Sequence, residues 1–354
     1  MVAVPWVGDV MYVYLAVYAV IAAQALSRVR TGGRVFFIFS GVFLVWFMGF
    51  RYETGCDYYG YFHRWINFDS SLSFFELTVA GELGFASLMY LVKSMGLSYI
   101  WFNVIVSAIL VSCYIRFSSW HSYGPVILAL LFPIVIIQLG MSGIRQALAG
   151  GFLMLAFNAF ARGEKLWVAG WILTGAQFHA SVAVFLPIVV LAGGAVTSLR
   201  LTAAVILLSP ISAFVLGDRL SVYEDRYATG EVTSGGALIR YALLALPVPL
   251  FFRFRHRLKM LFPEVYPLLK LGVILIVSLA PLVIFSSIAL HRLNYYVFPL
   301  SILIFVYVGA VLSKRPSDGH GLAILAYGSY SFLWFLSSRH AQSCYVPYEN
   351  TWFM

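Results

Sequence analysis

Apolar runs of about 20 residues recur along the chain between charges or Gly and Pro, and such a run crosses the ~30 Å hydrocarbon layer of a bilayer when it is helical. The pattern predicts spans near residues 8–27, 34–50, 99–116, 124–140, 144–161, 165–178, 180–195, 199–217, 237–254, 266–287, 292–312 and 320–337, about twelve in all. Two of them, 165–178 and 180–195, are short and separated by His179, so they form either one broken helix or a tight hairpin. The apolar stretch Glu82–Met95 is fourteen residues, short for a crossing, and predicts a helix lying on the outer interface.

Basic residues stay on the cytoplasmic side in short loops, which orients the spans. With twelve crossings, Arg28, Arg30, Arg34, Arg116, Arg162, Lys165, Arg200, Arg253, Arg255, Arg257, Lys259, Lys314 and Arg315 share one face. They are thirteen against three acidic residues there, Glu164, Glu264 and Asp318, while the other face has nine basic and eleven acidic residues, Lys270 within the span 266–287 being counted on neither. Both termini are therefore expected outside the cytoplasm, with outer loops at 51–98 and 218–236. Asp9 precedes the first run and no basic stretch does, so Val10–Leu26 reads as a retained span.

Composition sharpens this picture. Of 354 residues, 62% are apolar and 10% charged, against about half and a quarter in soluble chains. The expectation is an all-α polytopic membrane protein with a single membrane domain over 1–354, leaving no room for a nucleotide-binding domain. The net charge of +9 is meaningful only once divided between the two faces, and it does not argue for nucleic acid. Cys56, Cys113 and Cys344 show no zinc or redox spacing, although Cys56 and Cys344 share the oxidising face, where a bridge from the first loop to the tail is open to them. The sequence holds no HExxH, P-loop, GxGxxG, DxD or GxSxG motif, so neither a metal nor a cofactor is expected.

Chemistry is sought among ionisable residues on the outer half, since a charge at the centre of a span costs about 2.5–3.5 kcal/mol and persists where it is paired or used. Arg51, Arg145, Arg240, Arg292 and Arg339 come from the ends of spans far apart in sequence. Converging, they would form a basic pocket for a phosphate or diphosphate, because the guanidinium fork takes such oxygens two at a time; singly, each would snorkel to lipid headgroups. The run Arg51–Phe62 packs Glu53, Asp57 and the aromatics Tyr58, Tyr59, Tyr61 and Phe62 just after a span, a composition suited to stacking and hydrogen-bonding a sugar. Met141–Gly151 opens a span with small residues at Gly143, Ala147 and Gly151, which permit close helix approach. Arg145 in its first turn adds to the positive helix end. His179 interrupts an apolar run, as a satisfied core histidine or as a base or phosphate ligand.

In order along the chain, Arg51 to Asp57 with Tyr58 and Tyr61, Ile144-Arg145-Gln146, His179-Ala-Ser181, His291-Arg292 with Tyr295-Tyr296, and Val346-Pro347-Tyr348 resemble the EpsG-like branch of bacterial exopolysaccharide and O-antigen (Wzy-type) polymerases. Cys56 stands where a small hydroxyl residue is expected. The resemblance implies a bundle related to C-type glycosyltransferases and a glycosyltransferase activity. It implies joining of oligosaccharide repeat units on polyprenyl (undecaprenyl) pyrophosphate at the outer face of the inner membrane, with membrane lipid and a chain-length regulator as partners.

The mechanism to be expected is inverting transfer. An acceptor hydroxyl attacks the anomeric carbon of the growing chain and lipid pyrophosphate departs, with Asp57 or His179 as base and Arg145 catalytic. Arg51, Glu53, Tyr58, Tyr61, Arg240, Arg292, Tyr295 and Arg339 would bind substrate. The rival readings are a flippase for the same lipid-linked glycans and an O-antigen ligase. Transporters place charge at the membrane midplane, whereas here it collects at one end.

Overall fold

The structure, a computed structural model, describes residues 7–27, 33–69, 82–194, 197–204, 206–207, 236–313 and 315–353. The second expected outer loop, 218–236, lies outside the described residues except for Gly236, as do residues 70–81 of the first and most of the expected span 199–217. The helices are α1 (Val7–Ser27), α2 (Arg34–Gly49), α3 (Tyr58–Ile66, within the expected outer loop), α4 (Leu83–Ser94), α5 (Tyr99–Ser119), α6 (Gly124–Leu131) and α7 (Ile144–Ala161). There follow α8 (Lys165–Ala176), α9 (Ile188–Leu191), α10 (Ala237–Ala245), α11 (Pro247–Leu261), α12 (Tyr266–Ser278), α13 (Leu282–Phe285), α14 (Ser287–Leu312), α15 (Pro316–Ser337) and α16 (Arg339–Cys344).

Five described helices are long and apolar enough to cross a bilayer: Tyr99–Ser119, Ile144–Ala161, Ala237–Leu261, Tyr266–Ile284 and Ser287–Leu312. The chain is thus a multi-pass membrane protein, and its described residues hold five helices of crossing length where about twelve spans were expected. Several other expected spans are shorter apolar helices, among them Met11–Ser27, Arg34–Gly49 and Gly124–Leu139. The expected interfacial stretch is a helix of 12 residues, about 18 Å at 1.5 Å per residue and too short to cross.

The chain forms two compact units, residues Met1–Leu148 with Arg315–Met354, and Ala149–Lys314. In the first, α2 packs along α5, α1 along α6 and α15, and α6 continues as a π-helical segment, Phe132–Leu139. Pro133 at its start lacks an N–H, and the backbone answers with wider i→i+5 bonds, such as Gly140 N–H to Val135 O at 3.0 Å. Tyr14, Phe47, Phe335, Tyr345 and Tyr348 form an aromatic core, which Tyr14 Oη ties to Tyr345 O at 2.8 Å and Tyr348 Oη to Phe47 O at 2.8 Å. The C-terminal tail is in this way threaded into the bundle.

In the second unit, α14 is the axis, flanked by α10, α11, α12 and α13 and buried over most of its length. Ser301 Oγ donates to Leu244 O at 2.7 Å and Asn294 Nδ2 to Ala237 O at 3.2 Å, fixing its register on α10. The short pair flanking His179 is the tight hairpin rather than the broken helix: after α8 the chain turns at Gln177–His179, returns as the 3₁₀-helix Ala180–Phe185 and α9, and packs along α8. Its open end closes where Gly163 and Gly193, both at positive φ (76° and 68°), come close backbone to backbone, a contact tight for a Cβ and a conformation that favours glycine. Each arm reaches about 18 Å, short of the ~30 Å hydrocarbon layer.

Candidate functional site

In the first unit the chain leaves α2 through strand β1 (Arg51–Tyr52), which pairs antiparallel with β2 (Glu349–Asn350) of the tail. Gly55 follows at φ +106°, its N–H donating to Cys344 O at 2.6 Å. A Cβ there would lie 2.0 Å from Met141 O. Cys56 and Cys344 are joined by a disulfide across 288 residues, so the first loop and the tail share one end of this unit. His340 Nδ1 lies 3.8 Å from Cys56 Sγ. These three are the group of metal-ligand type among the described residues, but both sulfurs are engaged with each other.

Arg51 is turned inward and is 2% exposed; its Nη1 donates to Met48 O at 2.5 Å and its Nε to Thr54 O at 3.2 Å. It closes the C-terminal carbonyls of α2 and holds the loop, the favourable place for a cation at a helix end. Glu53 is exposed, in the left-handed region at φ 47°. Its carboxylate accepts from the neighbouring phenols and pushes Tyr59 up to about 12. Arg339 is exposed at the head of α16.

Asp57 begins α3 without capping it, and its exposed carboxylate turns instead to the loop before α7. Ser142 Oγ donates to Asp57 Oδ2 at 3.3 Å and accepts from Asp57 N–H at 3.3 Å. One turn on, Tyr61 accepts at its hydroxyl from the Arg145 backbone N–H at 3.5 Å, and burial pushes its phenol up while the Arg145 charge pulls it down. Tyr58 is buried against Tyr52, Tyr59, Phe62 and Tyr99 and so holds α3 in place. The Arg145 guanidinium is half-buried and donates through Nη1 to Glu82 Oε2 at 2.5 Å. Asp57, Tyr61, Ser142, Arg145 and Glu82 are thus gathered at the positive N-terminus of α7. Sequence reasoning missed Glu82 as a site residue and took it only as the start of an interfacial helix; the signal was a carboxylate directly ahead of an apolar run.

The second unit gathers its own group. Arg240 on α10 is 7% exposed, with Nη2 against His291 Nδ1 and its guanidinium carbon 5.5 Å from the Tyr295 ring centroid. An arginine can only donate, so the ring nitrogen it meets is the acceptor and the imidazole proton sits on Nε2. Arg292 is half-buried in the same turn of α14. His179 is buried at the hairpin turn, its N–H donating to Gly175 O at 3.1 Å. Two residues on, Ser181 Oγ and Tyr296 Oη share a hydrogen bond of 2.9 Å, which pins the turn to α14. His291 is the second residue that sequence reasoning left out of the binding set.

The model of the EpsG family matches residues 34–350. The chain belongs to the EpsG family. The match takes in both groups of site residues, from Arg51 to Tyr348. Membership points to polysaccharide polymerisation and to a glycosyltransferase-like enzyme. No curated protein and no solved structure matches the chain significantly.

Proposed function

We propose that this EpsG-family protein joins oligosaccharide repeat units carried on polyprenyl diphosphate, at the outer face of the bacterial inner membrane. The observation that carries the reading is the group at the head of α7, where the exposed Asp57 carboxylate, held by Ser142, stands with Tyr61 and the Glu82–Arg145 pair. An exposed carboxylate among tyrosines suits a sugar hydroxyl and its proton. His179 is buried, and Asp57 is accordingly the base in this reading.

The steps balance as follows. The acceptor hydroxyl oxygen attacks the anomeric carbon of the growing chain from the face opposite the diphosphate, a new glycosidic C–O bond forms, and the proton passes to Asp57. The bond from the anomeric carbon to the diphosphate oxygen breaks, and polyprenyl diphosphate leaves with the electron pair. Diphosphate is a good leaving group, so its developing charge needs cations more than a general acid. At the head of α7, Arg145 supplies guanidinium donors for it; in the second unit, Arg240, steadied by Tyr295 from the ring face, and Arg292 are the cations of that type. Arg51 acts through the loop it holds, and Glu53, Tyr58, Tyr61 and Arg339 belong to the sugar-binding surface.

The disulfide supports the outer placement, because such bonds persist in oxidising compartments and the loop and tail it joins were both assigned to that face by charge. The test is to replace Arg145 by Lys and by Ala in purified, reconstituted protein and to measure polymer length from lipid-linked repeat units. Loss of one preorganised donor costs about 10²–10³ in rate. Arg145→Ala is expected to reach that loss and Arg145→Lys to retain part of the activity. Full activity of the alanine variant would remove Arg145 from the site.

A further inference from the structure

Arg145 is gripped from two sides by a single turn of the helix that precedes it in space. Glu82 stands immediately before α4, its carbonyl accepting from the N–H groups of Phe85 at 3.1 Å and Ala86 at 3.0 Å, so its backbone is fixed by the helix it opens. Its carboxylate accepts a hydrogen bond from Arg145 Nη1 at 2.5 Å and is itself largely buried, at 12% side-chain exposure. Phe85, three residues on and therefore on the same helix face, is 2% exposed and lies 6.0 Å from the guanidinium carbon. The same ring packs against Tyr61 at 5.8 Å between centroids. One edge of the guanidinium is thus held by a charge and its face by a ring. The Nε atom is buried and makes no hydrogen bond among the described residues. The buried edge is thus fixed in place, and the exposed remainder of the guanidinium, on a side chain 27% exposed, is the part left to meet a ligand.

We propose that Glu82 and Phe85 are positioning residues for Arg145: they hold the guanidinium plane so that its exposed edge, on a side chain 27% exposed, meets a diphosphate oxygen of the lipid-linked donor. The proposal rests on the polymerase reading above and deepens it. It makes α4 part of the reaction site, whereas its apolar sequence suggested only an interfacial helix. Glu82 does not touch the reacting atoms. It keeps the arginine from swinging toward lipid headgroups and from collapsing onto Asp57, with which it shares the Tyr61 neighbourhood. A misplacement of about 1 Å in such a group can cost about 10² in rate.

The experiment is steady-state polymerisation by the reconstituted full-length protein on synthetic polyprenyl-diphosphate-linked repeat units. It compares wild type, Glu82→Ala, Glu82→Gln and Phe85→Leu, each alone and combined with Arg145→Ala. Glu82→Ala is expected to lower kcat about 10²-fold with a smaller change in KM. Glu82→Gln, which keeps an acceptor oxygen but loses the charge, is expected to recover part of that loss, and Phe85→Leu to fall between wild type and Glu82→Ala. In the Arg145→Ala background all three should cost almost nothing further, because the group they position is gone; a merely structural role would give additive losses. Should Glu82→Ala fail to fold, Glu82→Gln and its double variant carry the same comparison. Losses that add in the double variants, or a Glu82→Gln protein at the wild-type rate, would overturn the positioning role while leaving the polymerase reading intact. A wild-type protein that makes no polymer would instead overturn the polymerase reading itself.

Discussion

Arg51 and Arg145 look alike in the sequence, each a lone arginine at the end of an apolar run, yet their surroundings differ in kind. Arg51 is buried on two backbone carbonyls, Met48 O and Thr54 O, so its removal strands acceptors inside the protein. Hydrogen bonds to charged groups are worth about 1.5–3 kcal/mol each, and Arg51→Ala is expected to lower the melting temperature and the folded yield of purified protein. An Arg51→Ala protein with wild-type melting would show that the guanidinium does not hold the loop. Asp57, by contrast, is exposed, and its carboxylate is held by Ser142. Asp57→Asn is expected to leave folding unchanged and to reduce polymer formation by at least the 10²-fold range of a lost general base, measured by chain length from lipid-linked units. The sequence showed where the charges are but not where they point. A hydrophobic pattern marks the end of a span without showing which carbonyls lack partners there, and Glu82 escaped notice because its arginine lies 63 residues away.

Elements were more legible than side chains. Period and run length located α5, α7 and α14 to within a few residues, because burial of a continuous apolar helix is a local property of composition. The hairpin at His179 was left between two forms, since its fate turns on a close approach of Gly163 and Gly193 that no local pattern encodes. Either glycine replaced by alanine would strain a positive φ and push apart two touching backbones. Gly193→Ala is expected to destabilise the protein by about 1–3 kcal/mol, read as a lower melting temperature in detergent. The clamp between first loop and tail was open from sidedness alone, and the structure closes it through β1–β2 and Cys56–Cys344. With Cys113 buried as the free cysteine, thiol labelling of denatured, unreduced protein should find one reactive cysteine, and labelling after reduction should find three. Three before reduction would show that the disulfide is absent.

For the whole molecule, the family match over residues 34–350 agrees with the motif resemblance, and the multi-pass helices agree with what composition implied. The described residues hold five helices of crossing length where about twelve spans were expected, and apolar run length by itself does not separate a full span from a shorter buried helix. The central claim is that this membrane chain alone lengthens a lipid-linked glycan and frees its carrier. The direct measurement uses purified protein in proteoliposomes, supplied only with polyprenyl-diphosphate-linked repeat units, with polymer length and liberated polyprenyl diphosphate followed together. One equivalent of carrier diphosphate released for each new glycosidic linkage is the predicted result. Movement of the units across the bilayer with no lengthening and no released carrier would contradict the account.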